Sequence, residues 1–246
     1  MKLVRIVVFA KAPLAGFAKT RLVPALGKDG AAALARLMLF HTLREASAVG
    51  VDSVELCVTP DIGDAAWEQI SLPPGIELSN QGEGDLGERL ARAAERSVSR
   101  CESVLLIGTD CVEMSANLLR AAVRSLEDRD AVMHGTADGG YAMLGLNRCN
   151  PFLFHGIPWS TNAVASTTLG RLGQLGWTVH VGQLLHDMDE PQDLKHLPVL
   201  LESLRHGCKE YPACATNDHQ CDSREEASCM KLYRIITASS SAAAAT

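Results

Sequence analysis

The chain has 246 residues, of which 47% are hydrophobic and 21% charged, the mixture of an ordinary globular protein that can bury a core without disulfide or metal staples. Its 23 Lys and Arg stand against 29 Asp and Glu, a formal charge of −6, and aromatic residues make up only 4%. That balance argues against a duplex nucleic-acid binder, which needs a basic field, and against a base-stacking platform. No apolar run approaches the roughly 18–20 residues of a membrane span. The first ten residues lack the long apolar stretch and small-residue cleavage site of a secretory signal. The expectation is a cytoplasmic protein with no membrane span and no nucleic-acid partner.

Strand and helix patterns alternate along the chain. Residues 3–10 are an almost continuous β-rich apolar run, as expected of a strand buried on both faces. A Gly/Pro-containing loop follows to Pro24, and residues 30–49 read as a helix closed by Gly50. A strand at 53–58, a helical stretch at 63–70 and a short strand at 76–78 come next. Residues 86–99 form a clear helix, with Leu86, Leu90, Ala93 and Ala94 on one face. A strand at 103–107 leads to a helix capped by Ser115 and ending near Leu126. Strands at 131–134 and 141–146 flank Asp138-Gly139-Gly140. Ser160 or Thr161 opens a helix to about Leu175, residues 177–181 make the last strand, and Pro191 starts a final helix to about Leu204.

This β-α-β order predicts an α/β protein: a mostly parallel sheet with helices on both faces, a three-layer sandwich over residues 1–204. Residues 205–246 lose all periodicity and read as a tail with no domain of its own. Of the eight cysteines, Cys57, Cys101, Cys111 and Cys149 are scattered through the domain, and Cys208, Cys214, Cys221 and Cys229 fall in the tail. None forms a C-x-x-C pair, so reduced thiols are expected.

In such sheets ligands sit beyond the carboxyl ends of the strands, which directs attention to the loops that follow them. The loop after the first strand carries Lys11, Gly16, Lys19, Thr20 and Arg21. Gly16 permits tight backbone geometry with amides free to face an anion, and the cations can grip phosphate oxygens. Neither a Walker A pattern nor a dinucleotide fingerprint is present. Asp110 follows the strand at 103–107 directly, behind Gly108. Asp187 and Asp189 follow the last strand, and an Asp-x-Asp in extended backbone can aim both carboxylates to one side. The three could hold magnesium, which favours one or two carboxylates plus substrate phosphates. Asp110 reads equally as a turn residue and Asp189 as a helix N-cap. Gly82, Asp85 and Arg89 form a glycine-rich helix entry suited to a base and a phosphate, with Asp85 also a cap. Asp138, Gly139 and Gly140 make a tight turn with room for a substrate, and Trp159-Ser160 offers an aromatic wall and a hydroxyl.

Taken in order, Lys11-Ala-Pro…Gly16…Lys19-Thr-Arg-Leu, Gly84-Asp-Leu-Gly-Glu-Arg, Gly108-Thr-Asp-Cys, Asp138-Gly-Gly-Tyr, Trp159-Ser-Thr and Asp187-x-Asp-x-Pro-x-Asp-Leu resemble the bacterial selenodomain-associated transferase family. That family sits in the nucleotide-diphospho-sugar transferase (GT-A) superfamily and is similar to the guanylyltransferases of deazaflavin and molybdopterin cofactor synthesis. The resemblance spans roughly residues 3–204. It implies a divalent-metal-dependent (Mg2+ or Mn2+) transferase, either a glycosyltransferase or a nucleotidyltransferase. Its substrates would be a nucleotide or nucleotide-sugar and a small acceptor. Lys19, Arg21 and Asp110 would be catalytic, and Asp110, Asp187 and Asp189 would hold metal. The residue 11–21 loop would bind phosphates, and residues 82–87 would lie near the base. Asp138, Gly139, Gly140 and Ser160 would face the acceptor. The chain departs from the family pattern at Val112 and Thr136, where proline is usual. A nucleotide-binding relative without catalysis is the alternative.

Overall fold

The computed structural model describes residues 2–200 other than 69 and 199, so the expected tail at 205–246 lies outside the described residues. The elements are β1 (Leu3–Lys11), α1 (Val23–Ser47), β2 (Ser53–Thr59), β3 (Ile76–Asn80), α2 (Leu86–Val98), β4 (Glu102–Gly108), α3 (Ala116–Asp128), β5 (Ala131–Gly135), β6 (Tyr141–Leu146), α4 (Val164–Gln174) and β7 (Val179–Val181). The strands form one sheet in the order β3-β2-β1-β4-β6-β5-β7. All neighbouring pairs are parallel except those of β6, which runs antiparallel to both β4 and β5.

The layers follow from side-chain alternation along β1. Ile6 and Val8 point to one face, where Leu39 and Leu43 of α1 and Leu119 and Leu126 of α3 cover them. Val7 points to the other face, against Leu90 and Ala94 of α2 and Leu172 of α4. All three β1 residues are fully buried, which is why the strand reads as an unbroken apolar run. A third apolar cluster, with Leu22, Leu26, Leu34, Val112, Met188 and Leu197, lies beneath the loops rather than against the sheet.

Several element boundaries differ from the sequence reading. The first helix begins at Val23, with Pro24 in its first turn, and is interrupted at Gly27 (φ 70°, ψ 169°), a backbone conformation that glycine tolerates and side chains resist. The stretch at 63–70 holds only a single 3-10 turn, Ala65–Trp67, in which the Ala66 amide is capped by the Asp64 side chain. The helix expected from Ser160 starts instead at Val164 with Ala163 as its cap, because Ser160 is left-handed (φ 62°) and the Thr161 hydroxyl donates to Pro158 O. The last strand is trimmed to Val179–Val181. Pro191–His196 is a 3-10 helix, and its expected continuation past residue 200 lies outside the described residues. Ser115 caps α3 as read, accepting from the Leu118 amide.

At the amino end of the strands, a buried ionic network ties four of them together. Arg5 on β1 reaches Glu55 on β2 at 3.2 Å, Glu77 on β3 at 2.7 Å and Glu102 on β4 at 2.6 Å, and Arg96 of α2 also pairs with Glu55. The bond to Glu102 raises the Arg5 pKa despite the opposing effect of burial. With its side chain 3% exposed, Glu55 cannot recover water if its partners leave. Removing one member of a buried ion pair costs about 3–5 kcal/mol. Arg5→Met is therefore expected to lower unfolding stability by about that amount, read as a shift in the urea midpoint with an unchanged slope.

Candidate functional site

A cleft of about 760 Å³ opens where the carboxyl ends of β1 and β4 meet the loops that follow them. Of the residues singled out in the sequence, Lys11, Lys19, Thr20, Arg21, Asp110, Asp138, Gly140, Ser160, Asp187 and Asp189 line it. Gly16, Gly82, Asp85, Arg89 and Gly139 are not among the lining residues. Trp159, the aromatic wall read from the sequence, also lines the cleft, as do Gln81, Tyr141 and Asn162. Gln81 is buried and donates from Nε2 to Ala10 O and Cys57 O at 3.1 Å each. Its place directly after an edge strand was the only sequence signal for it.

At the centre, the Lys19 Nζ lies 2.5 Å from Asp110 Oδ1 and 2.8 Å from Asp189 Oδ1. Burial works to lower the pKa of Lys19, but the two carboxylates outweigh it and the ammonium is held charged. Backbone hydrogen bonding brings the two acidic loops together: Met188 N donates to Asp110 O at 2.9 Å, and Cys111 and Asp187 form an antiparallel bridge. Neither alternative reading of these residues holds in the structure. Glu190, not Asp189, is the N-cap of the 3-10 helix, and Asp110 points at Lys19 instead of closing a turn. The loops after β4 and β7 thus meet at the carboxyl ends of the strands.

The third carboxyl is different. Asp187 is pushed up to about 7, by burial first and then by the carboxylates of Asp110, Asp189 and Asp138. Carboxylate oxygens suit a hard cation such as Mg2+ or Mn2+, and Asp187's resistance to ionising marks negative charge that a cation would relieve. Asp110, Asp187 and Asp189 are the carboxylates that could contribute to a cation site. Among the described residues no group of three or more His, Cys, Asp or Glu side chains is placed to hold a metal ion. Magnesium ordinarily takes the remaining ligands from water and substrate phosphates.

Lys19 itself has left-handed backbone (φ 50°, ψ 41°), a conformation uncommon outside glycine. It is anchored by buried Ala18 and Leu22 on either side. Within this loop the Phe17 and Ala18 amides both donate to Leu14 O and close the turn on itself. Lys11 stacks over the Phe17 ring at 4.1 Å, and exposed Arg21 lies 3.3 Å from Glu190. The glycine-rich entry to α2 is braced from the helix: Asp85 forms a capping box with Glu88, Arg89 donates to Gly84 O, and Arg92 donates to Glu83 O. On the opposite wall, Asp138 Oδ1 accepts from the Thr136 hydroxyl at 2.5 Å and the Gly140 amide at 3.0 Å. Gly139 (φ 91°) packs so tightly on Asn162 that a Cβ would sit 2.2 Å from its carbonyl oxygen.

The cysteines are apart from this chemistry. The four among the described residues are free thiols, and burial pushes Cys111 up to about 12 and Cys149 to about 11. No helix among the described residues is long and apolar enough to cross a membrane.

The fold is nucleotide-diphospho-sugar transferase-like. A solved structure from Desulfovibrio desulfuricans G20, provisionally described as a nucleotide-diphospho-sugar transferase, is 25% identical over 94% of this chain and 99% of its own, with a TM-score of 0.73. A CMP:2-keto-3-deoxy-manno-octonic acid synthetase complexed with CTP shares the fold at 13% identity, covering 83% of this chain and 100% of its own, with a TM-score of 0.53. A 4-diphosphocytidyl-2C-methyl-D-erythritol synthase from Anaerococcus prevotii does so at 13% identity over 82% and 96%, with a TM-score of 0.52. The family model described as "Uncharacterized protein conserved in bacteria (DUF2064)" matches residues 42–161. No curated protein matches the chain.

Two outcomes follow from the geometry. The Asp187 carboxyl has an ordinary pKa of 3.8 and a native one of about 7. Between these values the native protein keeps a proton that the unfolded chain releases, so this group's contribution to stability falls as pH rises through that window. Asp187→Asn should therefore raise the Tm of chelator-treated protein most at pH 8, less at pH 5, and little below the ordinary pKa of 3.8. The second concerns Met188, fully buried between Asp187 and Asp189. Met188→Ala should destabilise by about 2–5 kcal/mol in urea unfolding.

Proposed function

We propose that this protein is a divalent-metal-dependent transferase that acts on a nucleotide-activated substrate. One observation carries the reading: the carboxylates of Asp110 and Asp189 converge on a buried lysine at the carboxyl edge of the sheet, beside a cationic loop and within one cleft. The likeness to the Desulfovibrio structure, at 25% identity and a TM-score of 0.73, supports it. The same six motifs support membership of the selenodomain-associated transferases.

Asp110, Asp187 and Asp189 would hold Mg2+ or Mn2+, which supplies charge neutralisation at the substrate's phosphate oxygens. Lys11 and Arg21 reach the cleft from the first loop and would bind phosphate oxygens, Arg21 through two parallel hydrogen bonds. The braced turn at residues 81–84 fits the nucleotide side. The Asp138–Gly140 turn, with Trp159 and Ser160, fits the acceptor side, and the unshared Asp138 oxygen is the group there able to accept a hydroxyl or amine proton. Catalysis in such a site is mostly positioning and electrostatic stabilisation.

Two reactions share this site. Attack on the α-phosphate releases pyrophosphate, and attack on the sugar carbon releases a nucleoside diphosphate. The cation-rich first loop favours the former, since a triphosphate carries more charge to neutralise. The test pairs a thermal-shift screen of nucleotides with assays of both leaving groups, because a ligand bound only by the native state raises Tm. Turnover of one nucleotide with Mg2+ is expected, falling about 10²-fold or more in Asp110→Asn, the scale of losing one electrostatic contact in a transition state. Nucleotide binding without turnover, indifferent to Mg2+ and to Asp110→Asn, would establish a non-catalytic binder.

A further inference from the structure

Lys19 stands out from the other cations of the first loop. Its side chain is only 7% exposed, whereas the two carboxylates it joins are 49% and 44% exposed, and Arg21 is 67% exposed. The ammonium is therefore the most buried charged group of the Lys19–Asp110–Asp189 cluster that lines the cleft. Each carboxylate gives it one oxygen, Oδ1. The left-handed backbone at residue 19, held by buried neighbours, aims the chain inward. A charge so placed cannot be relinquished to solvent without large desolvation changes, and it subtracts one unit from the field that a divalent cation would meet.

Resting on the metal-dependent reading above, we propose that Lys19 is the resident counter-ion of this acidic cluster, keeping its affinity for a free divalent cation low so that the cation enters only together with the substrate's phosphates. Asp110 and Asp189 are shared with the ammonium. Their combined pull on a lone cation is thus weak, and phosphate oxygens complete the coordination. The consequence is strong positive coupling between metal and phosphate binding. A protein built this way resists filling its site with metal in the absence of substrate.

The test reads bound Mn2+ by electron paramagnetic resonance, with and without inorganic pyrophosphate. Wild type is expected to bind Mn2+ weakly alone and at least about tenfold more tightly with pyrophosphate. Lys19→Met should bind Mn2+ alone at least about tenfold more tightly than wild type, with the pyrophosphate effect correspondingly reduced. Lys19→Gln serves the same purpose if the methionine variant fails to fold. Lys19→Arg, which keeps the charge, should retain weak binding of Mn2+ alone. If the neutral variants bind Mn2+ no more tightly than wild type, while wild type still binds it with pyrophosphate, the proposal is overturned and the metal-dependent reading stands. If no form binds Mn2+ under either condition, both fall together.

Discussion

The buried ammonium of Lys19 is the contact on which the site depends. Three carboxyl groups gathered over one sheet edge would repel one another, and the loops carrying them would part. A single cation beneath Asp110 and Asp189 makes their proximity tolerable, while Asp187, which shares no such contact, pays by resisting ionisation up to about pH 7. The lysine comes from the loop after β1, Asp110 from the loop after β4, and the Asp187–Asp189 pair from the loop after β7. One interaction therefore joins the two central strands to the far edge of the sheet.

Electrostatics alone would not hold that geometry. The apolar cluster beneath the loops contains Leu22, three residues after Lys19; Val112, two after Asp110; and Met188, between the acidic pair. Each charged group is thus tethered within three residues to a buried apolar anchor, and the anchors pack on one another. Along Asp187-Met188-Asp189 the two carboxylates line the cleft and the methionine between them is buried, the alternation expected of extended backbone.

The two positions that depart from the resembled family's proline find physical roles here. Val112 is 3% exposed in the anchoring cluster, so the Asp110 loop is located by packing and by the Met188 hydrogen bond. Thr136 uses its amide to donate to Gly140 O, which proline cannot do, and its hydroxyl to hold Asp138. Both departures substitute another means of fixing a loop.

Much of this was legible in the chain itself. The unbroken apolar run of β1, the Asp85 and Ser115 caps and the β-α-β order identify the three layers, because burial on two faces and helix capping leave local marks in sequence. The acidic residues and the cationic loop were also identifiable, since chemistry in an open sheet gathers after strand ends. What local pattern could not carry was contact between remote segments. Asp110 and Asp189 are both ordinary cap or turn candidates until the sheet order places their loops side by side. Lys19 was legible as a cation of the first loop, but its burial between Asp110 and Asp189 was not. Gln81 offered no periodicity to mark it, and the Ser160 helix start was overruled by a left-handed residue. Packing decides these details: the Lys19 pairings join residues more than 90 apart in the chain, which no local pattern can mark.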